Sequence, residues 1–137
     1  MISTVAVATD GSATAGEAVK QATEIARRFG AKLWLLSAFQ NLPSEDKNIE
    51  LQWARSSSAQ VKSLLEKLEA DLGAAGVECK TRVDEGDPAE VVVRLATEVG
   101  ADLLVIGNKG MQRRVLGSVP NTVTHKAACS VLVVKTT

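Results

Sequence analysis

Five short apolar runs alternate with four segments of helical spacing, and that alternation restricts the fold of this chain more than any other feature. The runs are "TVAVATDG" from Thr4, "KLWLLSAF" from Lys32, "VECKTRV" from Val77, "DLLVIG" from Asp102 and "CSVLVVK" from Cys129. Each has strand length and most are apolar on both faces, as strands buried between two layers of helices must be. Between the first two, Ala15, Ala18, Val19, Ala22, Ile25, Ala26 and Phe29 recur at helical spacing and predict one buried stripe. Thr14 and Glu17 have capping-box spacing, with Ser12 as the competing N-cap, and Gly30 fits the position just past the helix. Residues 40 to 47 contain Pro43 and read as a loop. A long helix is then expected over about Asn48 to Leu72, with Val61, Leu64, Leu65, Leu68 and Leu72 as its best-defined face and "GAAG" as its end.

The third run differs from the others. Val77, Cys79, Thr81 and Val83 fall on one face, and Glu78, Lys80 and Arg82 on the other, which marks a strand with one wet face or an edge position. "DEGD" is a turn in which Asp87 serves as N-cap, Pro88 takes the first helical position and Glu90 follows at the third. Val91, Val92, Leu95, Ala96 and Val99 form the next buried stripe, closed by Gly100. A short helix from about Val119 to Ala127 precedes the last strand. The resulting βαβαβαβαβ order predicts one α/β domain over residues 1–137, with an open parallel sheet and helices on both faces.

Bulk properties exclude several function classes. Sixteen basic and sixteen acidic residues give zero net charge, which supplies no electrostatic footprint for nucleic acid or an anionic membrane. The apolar run Val5–Ala8 is too short for a signal sequence or a membrane span, so a cytoplasmic protein is expected. Cys79 and Cys129 stand far apart in apolar context and read as two buried free thiols.

Open parallel sheets bind ligands beyond the carboxyl ends of their strands, where strand order reverses. Two of those ends carry unusual residues. Asp10 follows the first strand directly, and "GNKGMQRRVLGSV" follows the fourth. Glycines there permit sharp turns and close approach to the main chain, and successive amides form an anion-binding concavity. Gly117-Ser118 lies where a helix begins, whose free N–H groups favour a phosphate, and Lys109, Arg113 and Arg114 add positive charge. These features describe a phosphate cradle; the plainer alternative is a surface loop with solvated basic residues. Neither the dinucleotide fingerprint nor the P-loop spacing occurs. The chain has no Tyr and two Trp, Trp34 and Trp53, neither placed to stack a flavin.

"VAVATDGS", "ADLLVIGNKG", "LGSV" and "CSVLVVK" together resemble the universal stress protein family over nearly the whole chain. That resemblance implies a five-stranded sheet of order 3-2-1-4-5, of the adenine nucleotide alpha hydrolase-like type, and commonly a dimer. It implies binding of an adenine nucleotide (ATP, AMP or cyclic AMP) through Gly, two residues, Gly, nine residues, then Gly-Ser or Gly-Thr. The residues implied are Thr9, Asp10, Ala38, Gly107, Gly110, Arg113, Arg114, Gly117, Ser118 and Val119. Asp10 would meet the nucleoside end, Ala38 would offer main-chain contacts to adenine, and Gly110, Gly117 and Ser118 would hold phosphates. Six residues, Met111 to Leu116, stand where the family pattern has nine, which favours AMP or cyclic AMP over a triphosphate. Mg²⁺ would accompany ATP, with Asp10 as a single weak ligand.

Other classes compete with this one. A phosphotransfer receiver would need a central, doubly apolar third strand and a paired acid beside Asp10, and the sequence supplies neither. A family member that binds no nucleotide and serves as an interaction or scaffold protein remains open. A ligase or hydrolase would need a general base; His125, the single histidine, lies two turns into the last helix and reads as a surface residue, so no catalytic residue is assigned and ATP hydrolysis is expected to be slow or absent. Asp84 and Glu85 read as solvated turn residues. The last strand carries Val131, Leu132, Val133 and Val134 without charge until Lys135. An apolar edge of that kind predicts a homodimer joined along strand five.

Overall fold

The computed structural model describes residues 1–10, 13–40, 58–108 and 118–135. Its elements are β1 (Thr4–Ala8), α1 (Ala13–Phe29), β2 (Lys32–Phe39), α2 (Ser58–Ala74), β3 (Cys79–Glu85), α3 (Pro88–Glu98), β4 (Leu103–Asn108), α4 (Ser118–Lys126) and β5 (Ser130–Lys135). The strands form one parallel sheet, as the alternation implies, of order β3-β2-β1-β4-β5, as the resemblance implies. The expected helix start near Asn48 lies outside the described residues, as do Ser12 and Trp53. α1 begins at Ala13, which puts Thr14 inside the first turn rather than at the cap.

Successive strand residues point to opposite faces, and the core divides accordingly. Val5, Val7, Leu33, Leu35 and Val105 pack under α1 and α2 with Ala18, Ala22, Val61 and Leu65. Ala6, Ala8, Leu36, Ala38, Leu104 and Ile106 pack on the opposite face with Val92, Leu95 and Val123 of α3 and α4. Phe29 departs from its expected place in the α1 stripe and is 56% exposed. It is the last residue of the helix, and Gly30 follows at φ 63°. There the Ala31 N–H donates to the Ala26 carbonyl at 2.8 Å and the Gly30 N–H to Arg27 at 3.3 Å, a Schellman ending that needs a residue able to take positive φ.

Asp87 caps α3 as expected, its carboxylate accepting from the Glu90 N–H at 3.2 Å. The residue before it, Gly86, has φ 141°, and a Cβ there would lie 3.0 Å from a methyl of Val91. β3 begins and ends two residues later than the Val77–Val83 run, and its charged face is not simply wet. The Lys80 ammonium stands 5.6 Å from the centre of the Trp34 ring. Arg82 reaches Glu98 at 2.6 Å, and Arg94 bridges Asp84 at 2.8 Å and Glu98 at 2.9 Å. Asp84 is therefore not the unattached turn residue expected from sequence: Arg94, and then the Glu85 N–H, hold its carboxyl below the usual range. The two cysteines are half-buried rather than buried. Burial pushes both thiols up, with Glu69 adding to the effect at Cys79.

Asp102 belongs to the fourth apolar run in sequence but lies outside β4. Its Oδ2 accepts from the Ser3 N–H at 2.8 Å and the Thr4 N–H at 3.0 Å, tying the start of β1 to the start of β4. These two backbone donors hold its carboxyl below the usual aspartate range. A folded-state value below the unfolded one means that the ionised carboxylate stabilises the fold above about pH 4 and ceases to do so as pH falls through the lowered value. Asp102→Asn is expected to lower the urea midpoint at pH 6, and the gap from wild type should narrow as the pH is brought down through the lowered value. A gap that stays constant over that range would show that the charge plays no part.

Candidate functional site

The carboxyl ends of the strands are uneven, and the unevenness makes a notch. β1 pairs with β2 up to Ala8↔Leu36 and with β4 up to Val7↔Val105. Both neighbours run on. β2 continues through Ser37, Ala38 and Phe39, paired there with Val83, Asp84 and Glu85 of β3. β4 continues through Ile106, Gly107 and Asn108, paired with Val133, Val134 and Lys135 of β5. The central strand thus stops short between two longer ones at the point where strand order reverses, the place where open α/β sheets take ligands.

Thr9 and Asp10 form the floor of this notch. Thr9 is 1% exposed; its N–H donates to the Leu36 carbonyl at 3.0 Å and its carbonyl accepts from the Ser37 hydroxyl at 2.7 Å. Asp10 is half-buried at the next position. One wall is Ala38, itself 1% exposed, and the other is Gly107 with the fully buried Asn108. Ser118 is exposed and is the first residue of α4, with half-buried Val119 behind it. β4 leads into α4 from the same end of the sheet, so the start of this helix belongs to the notch side. Gly110, Arg113, Arg114 and Gly117, and with them Lys109 and Gly11, lie outside the described residues. Among the residues expected from sequence, the structure therefore brings Thr9, Asp10, Ala38 and Gly107 to one place.

Sequence reasoning passed over Ser37 and gave Asn108 no role. Both are buried polar residues, Ser37 within β2 and Asn108 at the end of β4, and a signal existed. Ser37 interrupts one apolar run, "LLSAF", Asn108 ends another, "LLVIGN", and a buried polar side chain is costly unless bonded. No described residue cluster offers three or more His, Cys, Asp or Glu side chains in position to hold a metal ion. His125 is exposed on α4. A separate cleft of about 920 Å³ lies at the opposite pole, between the carboxyl ends of α1 and α2 and the starts of β2 and β3, lined by Arg27, Leu33, Glu69, Val77 and Lys80 among others.

Residues 1–135 match the model of the universal stress protein family. The chain belongs to that family. Universal stress protein Rv1636 of Mycobacterium tuberculosis is 36% identical over 144 aligned residues, covering 98% of this chain and 97% of its own. Among solved structures, a universal stress protein in complex with cAMP is 33% identical and superimposes with a TM-score of 0.78 over 99% of both chains. The universal stress protein from Archaeoglobus fulgidus in complex with dAMP is 26% identical, with a TM-score of 0.69 over 97% of this chain and 98% of its own. These universal stress proteins are of the adenine nucleotide alpha hydrolase-like fold, and this chain shares it. No helix among the described residues is long and apolar enough to cross a membrane.

Proposed function

We propose that this universal stress protein binds an adenine mononucleotide in the notch and acts as a nucleotide-responsive regulatory protein rather than as an enzyme. The observation that carries this reading is the early end of β1 between the longer β2 and β4. It leaves a slot walled by main chain at Ala38 and Gly107, with Asp10 at its floor. Adenine suits such a slot, because a flat ring can pair with strand-edge amides and carbonyls. Asp10 would accept from the nucleoside hydroxyls, and Ser118, with the N–H groups that open α4, would meet the phosphate. Two of the related structures are complexes with cAMP and dAMP, which supports a monophosphate. The six-residue spacing from Met111 to Leu116 supports the same choice over ATP and Mg²⁺.

Calorimetry on protein freed of carried-over ligand, titrated with AMP, cyclic AMP and ATP, tests the reading. Binding of AMP or cyclic AMP in preference to ATP is expected. Failure of all three at 1 mM, a limit of about −4.1 kcal/mol, would overturn it and leave the scaffold reading.

The same protein is proposed to be a homodimer joined along β5. β5 pairs with β4 on one side and forms the margin of the sheet on the other. Val131, Leu132 and Val133 stay half-exposed there, while Val134 is buried. A second copy of β5, running antiparallel across a two-fold axis, would satisfy the open edge and cover these residues. Light scattering at micromolar concentration should give twice the chain mass of 14.4 kDa. Val133→Pro, which puts a ring on the paired edge, should shift the population toward monomer. A wild-type protein that stays monomeric at high concentration would end this proposal.

A further inference from the structure

The cleft at the pole opposite the notch is sorted by charge. Its floor is apolar: Leu33 near the start of β2 is 2% exposed, and Val77 and Cys79 are half-buried. On the α1 side stand Arg27, in the last turn of that helix, and Lys32, the first residue of β2. On the α2 side stand Glu69, within the last two turns of that helix, and Glu78, next to the first residue of β3. Among the described residues none of these four takes part in an ion pair. Lys80, the remaining cation of the lining, lies over the Trp34 ring. The helix ends deepen the division. Both helices bring their carboxyl ends, which carry partial negative charge, to this pole. Arg27 and Arg28 cover that of α1, whereas the last turn of α2 has no basic residue. The Cys79 thiol registers the result: burial, and then Glu69, push it up, as a negative field on the α2 side of the floor would. α1 lies mainly on β1 and β4, and α2 on β3 and β2, so the two walls stand about two strand spacings, or about 10 Å, apart.

We propose that this cleft binds a short peptide by its two free ends, the ammonium against Glu69 and Glu78 and the carboxylate against Arg27 and Lys32, with an apolar side chain on the floor. An extended peptide advances about 3.3–3.6 Å per residue, so about two or three residues span the distance between the walls. The volume of about 920 Å³ has room for them. A simple anion or cation would meet one matching wall and one opposed wall, whereas a molecule with both charges and an apolar middle matches the whole lining. Exposed ion pairs contribute little each, so an affinity in the millimolar range is expected. The site is separate from the notch and does not depend on the nucleotide reading.

The test titrates the tripeptide Leu-Gly-Leu into the protein and follows the Trp34 indole signal by NMR. Acetylating its amino end or amidating its carboxyl end should each weaken binding about three- to fivefold. Glu69→Gln should weaken the free tripeptide by a similar factor and leave the acetylated one unchanged, and Arg27→Gln should do the same with the amidated one. Gly73 lines the cleft from within α2, and a Cβ there meets nothing within 4 Å, so Gly73→Leu fills the cleft without strain and should abolish binding. The two thiols supply an independent readout. Cys79 lines the cleft and Cys129 does not, so the bound tripeptide should slow alkylation of Cys79 by N-ethylmaleimide and leave Cys129 unaffected. No shift of the Trp34 signal at about 10 mM tripeptide would overturn the proposal. Equal binding of the free and capped tripeptides would overturn it too, since an apolar floor alone would then suffice. So would unchanged binding to Gly73→Leu, or binding that leaves Cys79 as reactive as before, because the tripeptide would then lie elsewhere.

Discussion

Leu35→Ala should destabilise the protein by about 2–5 kcal/mol, read as a shift of the urea midpoint with little change in slope. Leu35 is fully buried on β2, beside Val7 of β1, within the cluster that α1 and α2 cover. Domains of this kind are stable by roughly 5–15 kcal/mol, so the substitution removes a large part of the whole. Phe29→Ala makes the matched control. Helical spacing alone puts Phe29 in the buried stripe of α1, where the loss would be about 3–5 kcal/mol. Its exposure of 56% predicts a change within about 0.5 kcal/mol instead. A large loss at Phe29, or a small one at Leu35, would contradict the packing described here.

The second large effect concerns the ligand and separates its two ends. If the nucleotide lies as proposed, Asp10→Ala should weaken AMP and adenosine alike, by about 1–3 kcal/mol, because the carboxylate would then face the nucleoside. Ser118→Ala should weaken AMP by a similar amount and leave adenosine unchanged, because in that pose the hydroxyl at the start of α4 would face the phosphate. Calorimetry with both ligands on both variants gives four values whose pattern, more than their size, decides the orientation. Equal losses of adenosine in the two variants would mean that the nucleotide does not lie with its base toward β2.

Much of this was legible in the residues because strands and helices of a two-faced sheet carry different periods. Five runs were enough to order the elements along the chain, and the alternating third one left one wet face or an edge as its two readings, of which the family's strand order selects the edge. Asp87 and Gly30 declared their helix ends, since few residue types satisfy a first-turn amide or take positive φ. Phe29 misled because periodicity gives a direction around the helix axis but not whether anything lies opposite at that height. Asp102 looked like part of a strand because nothing local distinguishes a strand residue from one that clamps amides about a hundred positions away. The notch was half legible. Asp10 and Gly107 stand out by residue type, whereas the buried bond from the Ser37 hydroxyl to the Thr9 carbonyl is a tertiary contact that no local pattern encodes.

The two margins of the sheet differ in what they permit. β3 presents Lys80 lying over Trp34, and Arg82 and Asp84 tied to α3, a surface of fixed charges hostile to another strand. β5 presents half-exposed valines and a leucine. Joining through β5 about a two-fold axis would consume both receptive margins at once and turn both charged ones outward. Growth would then end at a pair. A continuous sheet across two subunits would be capped at either end by the same ionic border, and fibre formation, the ordinary hazard of an open parallel sheet, would have no surface from which to start.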